Sequence, residues 1–146
     1  MSLTATIKDA VKAAMRAKEK ERLSALRLIT AEFKKAEVDE RIDIDDERAL
    51  QILDKMCKQR RDSIKQYEDA GRDELAAVEQ AEIDVISEFL PEAISDDELT
   101  QMVADAIAQS GAAGMQDMGK VMGILKPQVQ GRADMGQVSK MVKSQL

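Results

Sequence analysis

KQRRDSIKQYEDAGRDELAAVEQAEIDVISEFLP, residues 58–91, decides the fold. It reads as the end of one long helix, a turn at Gly71, a second amphipathic helix and a stop at Pro91. Glycine suits the left-handed residue that ends a helix, Asp73 is placed to cap the next one, and proline cannot continue it. In the second helix Leu75, Val78, Ile83, Val85, Ile86 and Phe89 are the candidate buried side. Upstream, Asp45 caps the long helix, which carries Ala49, Leu50, Ile52, Leu53, Met56, Cys57, Ile64 and Tyr67. Run to Ala70, it would be about 39 Å long at the α-helical rise.

The same reading extends both ways from this hairpin. Thr4 is the expected cap of a first helix with Ile7, Val11, Ala14 and Met15 on one face. The polar run at residues 18–21 can interrupt it before a second helical segment, with Leu23, Leu26, Leu28, Ile29 and Phe33 on its buried side. Charge then dissolves the pattern around residues 37–43, which read as a loop. Beyond Pro91, Ser95-Asp96-Asp97-Glu98 has the form of a capping box, followed by Leu99, Met102, Val103, Ala106 and Ile107 at helical spacing. GAAG at 111–114 gives a turn. Asp117 opens a short helix that Pro127 should kink or end, Gly131 punctuates, and Asp134 caps a last stripe of Val138, Met141, Val142 and Leu146. No strand pattern occurs. The expected fold is all-α: an N-terminal helical domain with a long helical hairpin (residues 1–92) and a small C-terminal three-helix domain (residues 93–146), joined at residues 92–94.

Composition narrows the chemistry. The 146 residues include no Trp, two Phe and one Tyr, so any core must be aliphatic, with nine Met as adaptable filler. Without His, and with Cys57 as the lone cysteine, there is no raw material for a zinc site, a histidine base or an intrachain disulfide. No apolar run nears the ~20 residues needed to span a bilayer, and no signal-peptide pattern opens the chain. The expectation is a cytoplasmic protein with no membrane contact, cofactor or metal. Net charge is −6 but uneven. Residues 1–37 hold nine Lys/Arg against five Asp/Glu, residues 38–99 eight against twenty, and residues 100–146 five against three. Such asymmetry permits a local cationic face on an acidic molecule, although solvated helix faces would produce the same counts.

Most local motifs dissolve on inspection. Residues 114–120 match the Gly-x4-Gly-Lys skeleton of a phosphate loop, but Val121 replaces the metal-binding hydroxyl and no strand precedes it. Glu79 and Glu82 share a helix face without any pocket in view, and read as solvated. Lys58, Arg60 and Arg61 form a basic knot, part of which intrahelical pairing of Lys58 with Asp54 and Asp62 would absorb. Residues 112–146 are more suggestive, with Lys120, Lys126, Arg132, Lys140 and Lys143 against only Asp117 and Asp134. Gly119 and Gly123, one turn apart, open a groove for another backbone, either a neighbouring helix or a phosphodiester chain.

KQRRDSI at 58–64, AGRDEL at 70–75, EFLP at 88–91, DMGKVMG at 117–123 and GRAD at 131–134 occur in one order across nearly the whole chain. Together they resemble the free-standing YqeY family (GatB/YqeY domain), related to the tail region of the B subunit of glutamine-dependent Asp/Glu-tRNA amidotransferase. The resemblance implies an all-helical protein linked to tRNA, because the amidotransferase tail helps hold the tRNA body. That enzyme's catalytic core has no counterpart in these residues, so no catalytic residue and no complete active site are assigned. The first expectation is a tRNA-associated accessory protein in which Lys120, Lys126, Arg132, Lys140 and Lys143 meet RNA phosphates, with Lys58, Arg60 and Arg61 as a secondary cluster. The second is an adaptor whose acidic hairpin docks a partner protein, such as an amidotransferase or synthetase. The third, from the family association alone, is participation in glutamine-dependent amide transfer, a carbon–nitrogen ligase reaction.

Overall fold

Ser2, rather than Thr4, opens the first helix: its hydroxyl accepts the Ala5 N–H at 3.2 Å, one residue pair earlier than the pattern of apolar side chains suggests. The computed structural model describes residues 2–146, and among them seven α-helices and no strand occur. They are α1 (Leu3–Ala17), α2 (Lys20–Glu40), α3 (Asp46–Asp69), α4 (Asp73–Ser87), α5 (Asp96–Ser110), α6 (Met118–Val129, entered through a 3₁₀ turn at Met115–Asp117) and α7 (Met135–Gln145). The all-α expectation holds. No helix among the described residues is long and apolar enough to cross a membrane.

Local signals set most boundaries. Lys18 takes the left-handed conformation (φ 58°) and Glu19 N–H bonds the Ala14 carbonyl, so the polar run does break α1 from α2. The expected loop at residues 37–43 is a correction: α2 continues to Glu40 and stops only where Arg41 turns left-handed at φ 56°. Glu37 and Glu40, good helix formers, carry the helix through Val38 and Asp39 without extending the buried stripe. Asp45 caps α3 through the Arg48 N–H at 2.8 Å. Arg48 also reaches back to Glu40 with Nε at 3.0 Å and Nη2 at 2.6 Å. That two-pronged bond holds the Glu40 carboxyl below the usual carboxylate range. The clasp is therefore present above the ordinary carboxylate pKa and is lost as pH falls through the depressed one.

The decisive turn forms as expected. Gly71 has φ 72°, and Arg72 N–H closes on the Tyr67 carbonyl at 2.7 Å. Asp73, expected as a cap, is instead the first residue of α4; Arg72 occupies the cap position without accepting a backbone N–H of the helix, and its Nε donates to the Glu74 carboxylate at 2.7 Å. Of the two expectations for Pro127, a kink or an end, the end does not occur there, since α6 continues to Val129. At the remaining boundaries Ser95 accepts the Glu98 N–H at 3.2 Å, Asp134 accepts the Gly136 N–H at 3.3 Å, and Gly111 and Gly131 take positive φ.

Contacts divide the chain into two compact units, the first ending at Leu90 and the second spanning Pro91–Leu146. In the first, α3 lies along α4, α1 along α2, and α2 packs on both α3 and α4. Its centre is Ile7, Leu26, Ile29, Leu53 and Ile86, surrounded by Phe33, Ala49, Met56 and Cys57. Across α3 and α4, Arg60 Nε donates to Glu82 at 2.7 Å while Nη1 donates to the Met56 carbonyl at 3.2 Å. These two side chains retain only 14% and 23% exposure, so Glu82 is not the solvated carboxylate of the sequence reading. In the second unit α5, α6 and α7 each touch the other two around Leu99, Val103, Val121, Leu125, Val129, Val138 and Val142. The sequence pattern misplaces three apolar residues: Met15, Leu28 and Val78 are exposed rather than buried.

Burial sorts the effects of truncation. Leu26→Ala should cost about 3 kcal/mol through lost transfer energy and a residual cavity, whereas Val78→Ala should fall within about 0.5 kcal/mol. Urea unfolding followed by circular dichroism separates the two. Burial pushes the Cys57 thiol up, with the Arg61 charge and a hydrogen bond from Ser87 opposing it. At pH 8 the native protein should react with Ellman's reagent at least ~100-fold more slowly than after unfolding in urea. Because the folded thiol titrates later than the unfolded one, its contribution to stability is constant at lower pH and declines above about pH 9.

Candidate nucleic-acid interface

The C-terminal cations sit on three separate supports. Lys120 and Lys126 are on α6, Lys140 and Lys143 on α7, and Arg132 in the turn between those helices. On α6 the stripe Val121, Leu125 and Val129 faces the core. At about 100° per residue, Lys120 and Lys126 both fall on the opposite half of the helix, roughly 120° apart. Gly119 and Gly123 lie between them. Both glycines are exposed, and a Cβ placed on either would meet nothing within 4 Å. Among the described residues of the second unit no helix fills that strip.

Asp117 shapes the start of this face. Its carboxylate does not cap α6; Oδ2 accepts the Ala113 N–H at 3.1 Å, and Oδ1 lies 3.9 Å from Lys120 Nζ. Lys120 remains 72% exposed, so this i,i+3 pair is a loose, solvent-screened one. On α7, Val138 and Val142 face the core. Lys140 and Lys143 are both exposed on the outer side, about 60° apart by helical geometry. Among the described residues, Lys126, Lys140 and Lys143 form no ion pair with a carboxylate.

Arg132 differs from the lysines. It is half-buried, and its Nε donates to the Glu92 carbonyl at 3.1 Å. Its own carbonyl accepts the Ile94 N–H at 3.0 Å and its N–H bonds the Val129 carbonyl at 2.8 Å. The residue therefore splices the segment before α5 to the turn after α6. In the secondary cluster, Lys58 and Arg61 are exposed on α3, while Arg60 is committed to Glu82 and the Met56 carbonyl. The phosphate-loop skeleton at residues 114–120 is preceded by helix α5 and an extended Gly114, not by a strand.

Helical periodicity located the lysines; it did not reveal the long-range partners of Arg60 and Arg132. It also missed an apolar surface on α4. Ala77, Val78, Ala81 and Val85 repeat at helical spacing on the side opposite Ala76, Ile83 and Ile86. The signal was present as a second stripe, but Val78 was merged with the buried one; Val85, half-buried, does pack against the core.

The sequence profile of the family described as Yqey-like protein matches residues 4–146. A protein of Pyrenophora tritici-repentis named Altered inheritance of mitochondria protein 41, mitochondrial, is 30% identical over 136 residues, covering 91% of this chain and 75% of that protein. The protein of the same name from Meyerozyma guilliermondii is 36% identical over 127 residues, covering 82% of this chain and 65% of its own length. An uncharacterized protein of Schizosaccharomyces pombe is 30% identical over 95 residues, 65% of this chain and 77% of that one. With the profile matching almost from end to end, the chain belongs to the YqeY-like protein family.

Proposed function

We propose that this protein is a tRNA-associated accessory protein, one that holds RNA while chemistry takes place on another molecule. The observation carrying the reading is that Lys126, Lys140 and Lys143 are exposed and outside any ion pair among the described residues, with Lys120 only loosely held by Asp117. Desolvating and re-pairing a lysine already bound to a carboxylate offsets much of what a phosphate contact contributes; these side chains are spared most of that cost. The bare strip at Gly119 and Gly123 lets a sugar–phosphate backbone approach α6 between Lys120 and Lys126. Resemblance to the tail region of the amidotransferase B subunit supports the choice of tRNA as the polyanion.

Such a surface recognises shape and charge rather than bases. Lysine reaches phosphate as a point charge, and stacked duplex RNA conceals its base edges in a deep major groove. Arg132, tied to Glu92, contributes by fixing the turn that relates the ends of α6 and α7. With a net charge of −6, the whole molecule repels RNA at long range, so binding depends on these few contacts and on low salt.

Fluorescence anisotropy with deacylated tRNA tests this directly. Binding is expected at about 25 mM salt, and each lysine–phosphate contact should add about 0.7–0.9 to the slope of log affinity against log salt. Replacing both Lys140 and Lys143 by Ala should weaken binding roughly tenfold and lower that slope by about 1.5. An absence of tRNA binding at 25 mM salt, or a double variant with unchanged slope, would overturn the assignment.

A further inference from the structure

α4 has two apolar faces, one buried and the other only partly covered. Ala76, Ile83 and Ile86 are buried, while Ala77, Val78 and Ala81 on the other side are exposed and Val85 is half-buried. Val78 keeps 56% of its surface in water. A helix apolar on both sides needs cover on both; within the described unit Val85, at one end of the second stripe, packs against the core, while Ala77, Val78 and Ala81 are left open. Facing this stripe, α2 contributes Glu21, Arg22, Ser24 and Ala25, and the two helices line an open groove of about 530 Å³. Leu28, one turn beyond Ser24 and 39% exposed, prolongs the apolar edge along α2.

The alanines make the floor shallow enough for the branched side chains of another helix to enter. The walls are acidic. Glu21 and Glu82 line the groove, Glu82 already bound to Arg60 at 2.7 Å, and Asp84 flanks the stripe on α4, whereas Glu74 is bound to Arg72 and Glu79 falls on the far side of the helix; α4 itself carries no Lys or Arg. Arg22, the cation lining the groove, is paired with Glu88 and lies 3.8 Å from Glu19. Glu21, on the α2 wall, has no ion-pair partner among the described residues.

From this complementarity we propose that the α2–α4 groove docks an amphipathic helix of a partner protein, its apolar face seated on Ala77, Val78, Ala81 and Val85 and its flank rich in Lys or Arg facing Glu21 and Asp84. This is recognition of the helix-in-groove kind, in which apolar anchors one turn apart supply affinity and flanking charge supplies orientation and partner choice. It rests on residues of the first unit only, and stands or falls apart from the RNA reading of the second.

The test uses the full-length protein and a fluorescein-labelled synthetic helix of about 18 residues, with Leu at i, i+3, i+4 and i+7 spacing and Lys elsewhere. Anisotropy at about 150 mM salt, where surface charge alone is screened beyond ~8 Å, should show saturable one-to-one binding. Val78→Glu should weaken it at least tenfold although it adds a negative charge, and Ala81→Leu, which fills the floor without changing charge, should do the same. A companion peptide with Glu in place of every Lys should bind at least tenfold more weakly. Absence of binding by the Leu/Lys helix, equal binding of both peptides, or unchanged or tighter binding by the two variants would overturn the proposal. So would a concentration-dependent dimer in sedimentation velocity that Val78→Glu abolishes, because the groove would then belong to a second copy of this chain.

Discussion

Arg60 and Glu82 meet at 2.7 Å between α3 and α4, each eleven positions from Gly71. This symmetry makes the pair a register lock. Sliding one helix against the other by a turn would leave a largely buried guanidinium and carboxylate facing apolar side chains, a far larger loss than the pair's own net attraction. Gly71 supplies the complementary constraint, since only a residue content with positive φ can reverse the chain so tightly. With register and reversal fixed, Leu53, Met56 and Cys57 are held opposite Ile83 and Ile86, and α2 finds a defined surface on which to lay Leu26 and Ile29. The aliphatic core contributes most of the stabilisation; the ion pair decides which arrangement receives it.

Both interiors are made of hydrocarbon and the Cys57 thiol, and the described chain buries no polar or charged residue. Glu40 and Glu74 are surface carboxylates held below their usual range by bonds from Arg48 and Arg72, which act as structural clasps. The features that invite function lie outside: lysines on the outer faces of α6 and α7, and the bare side of α4.

The fold was legible wherever its determinants are local. Caps at Asp45, Ser95 and Asp134, and left-handed glycines at 71, 111 and 131, act within a few residues and can be read one at a time. The end of α2 was not legible, because polar helical residues and polar loop residues look alike until Arg41 breaks the backbone path. Val78 and Leu28 escaped for a different reason. Periodicity reports which residues could be buried, while the number of neighbouring helices decides which of them are. The same limit applies to the candidate interface: the spacing of Lys140 and Lys143 places them on one face of α7, but nothing near Arg60 in sequence announces Glu82, and nothing near Arg132 announces the Glu92 carbonyl.

The turn at Gly71 has one consequence of a different kind. The carbonyl that receives the Arg72 amide belongs to Tyr67, and this ring is the one ultraviolet chromophore of consequence in a chain with one Tyr and no Trp. Near-ultraviolet absorption and emission of the whole molecule therefore originate beside the hairpin bend. The protein carries its own optical reporter at the place where α3 gives way to α4.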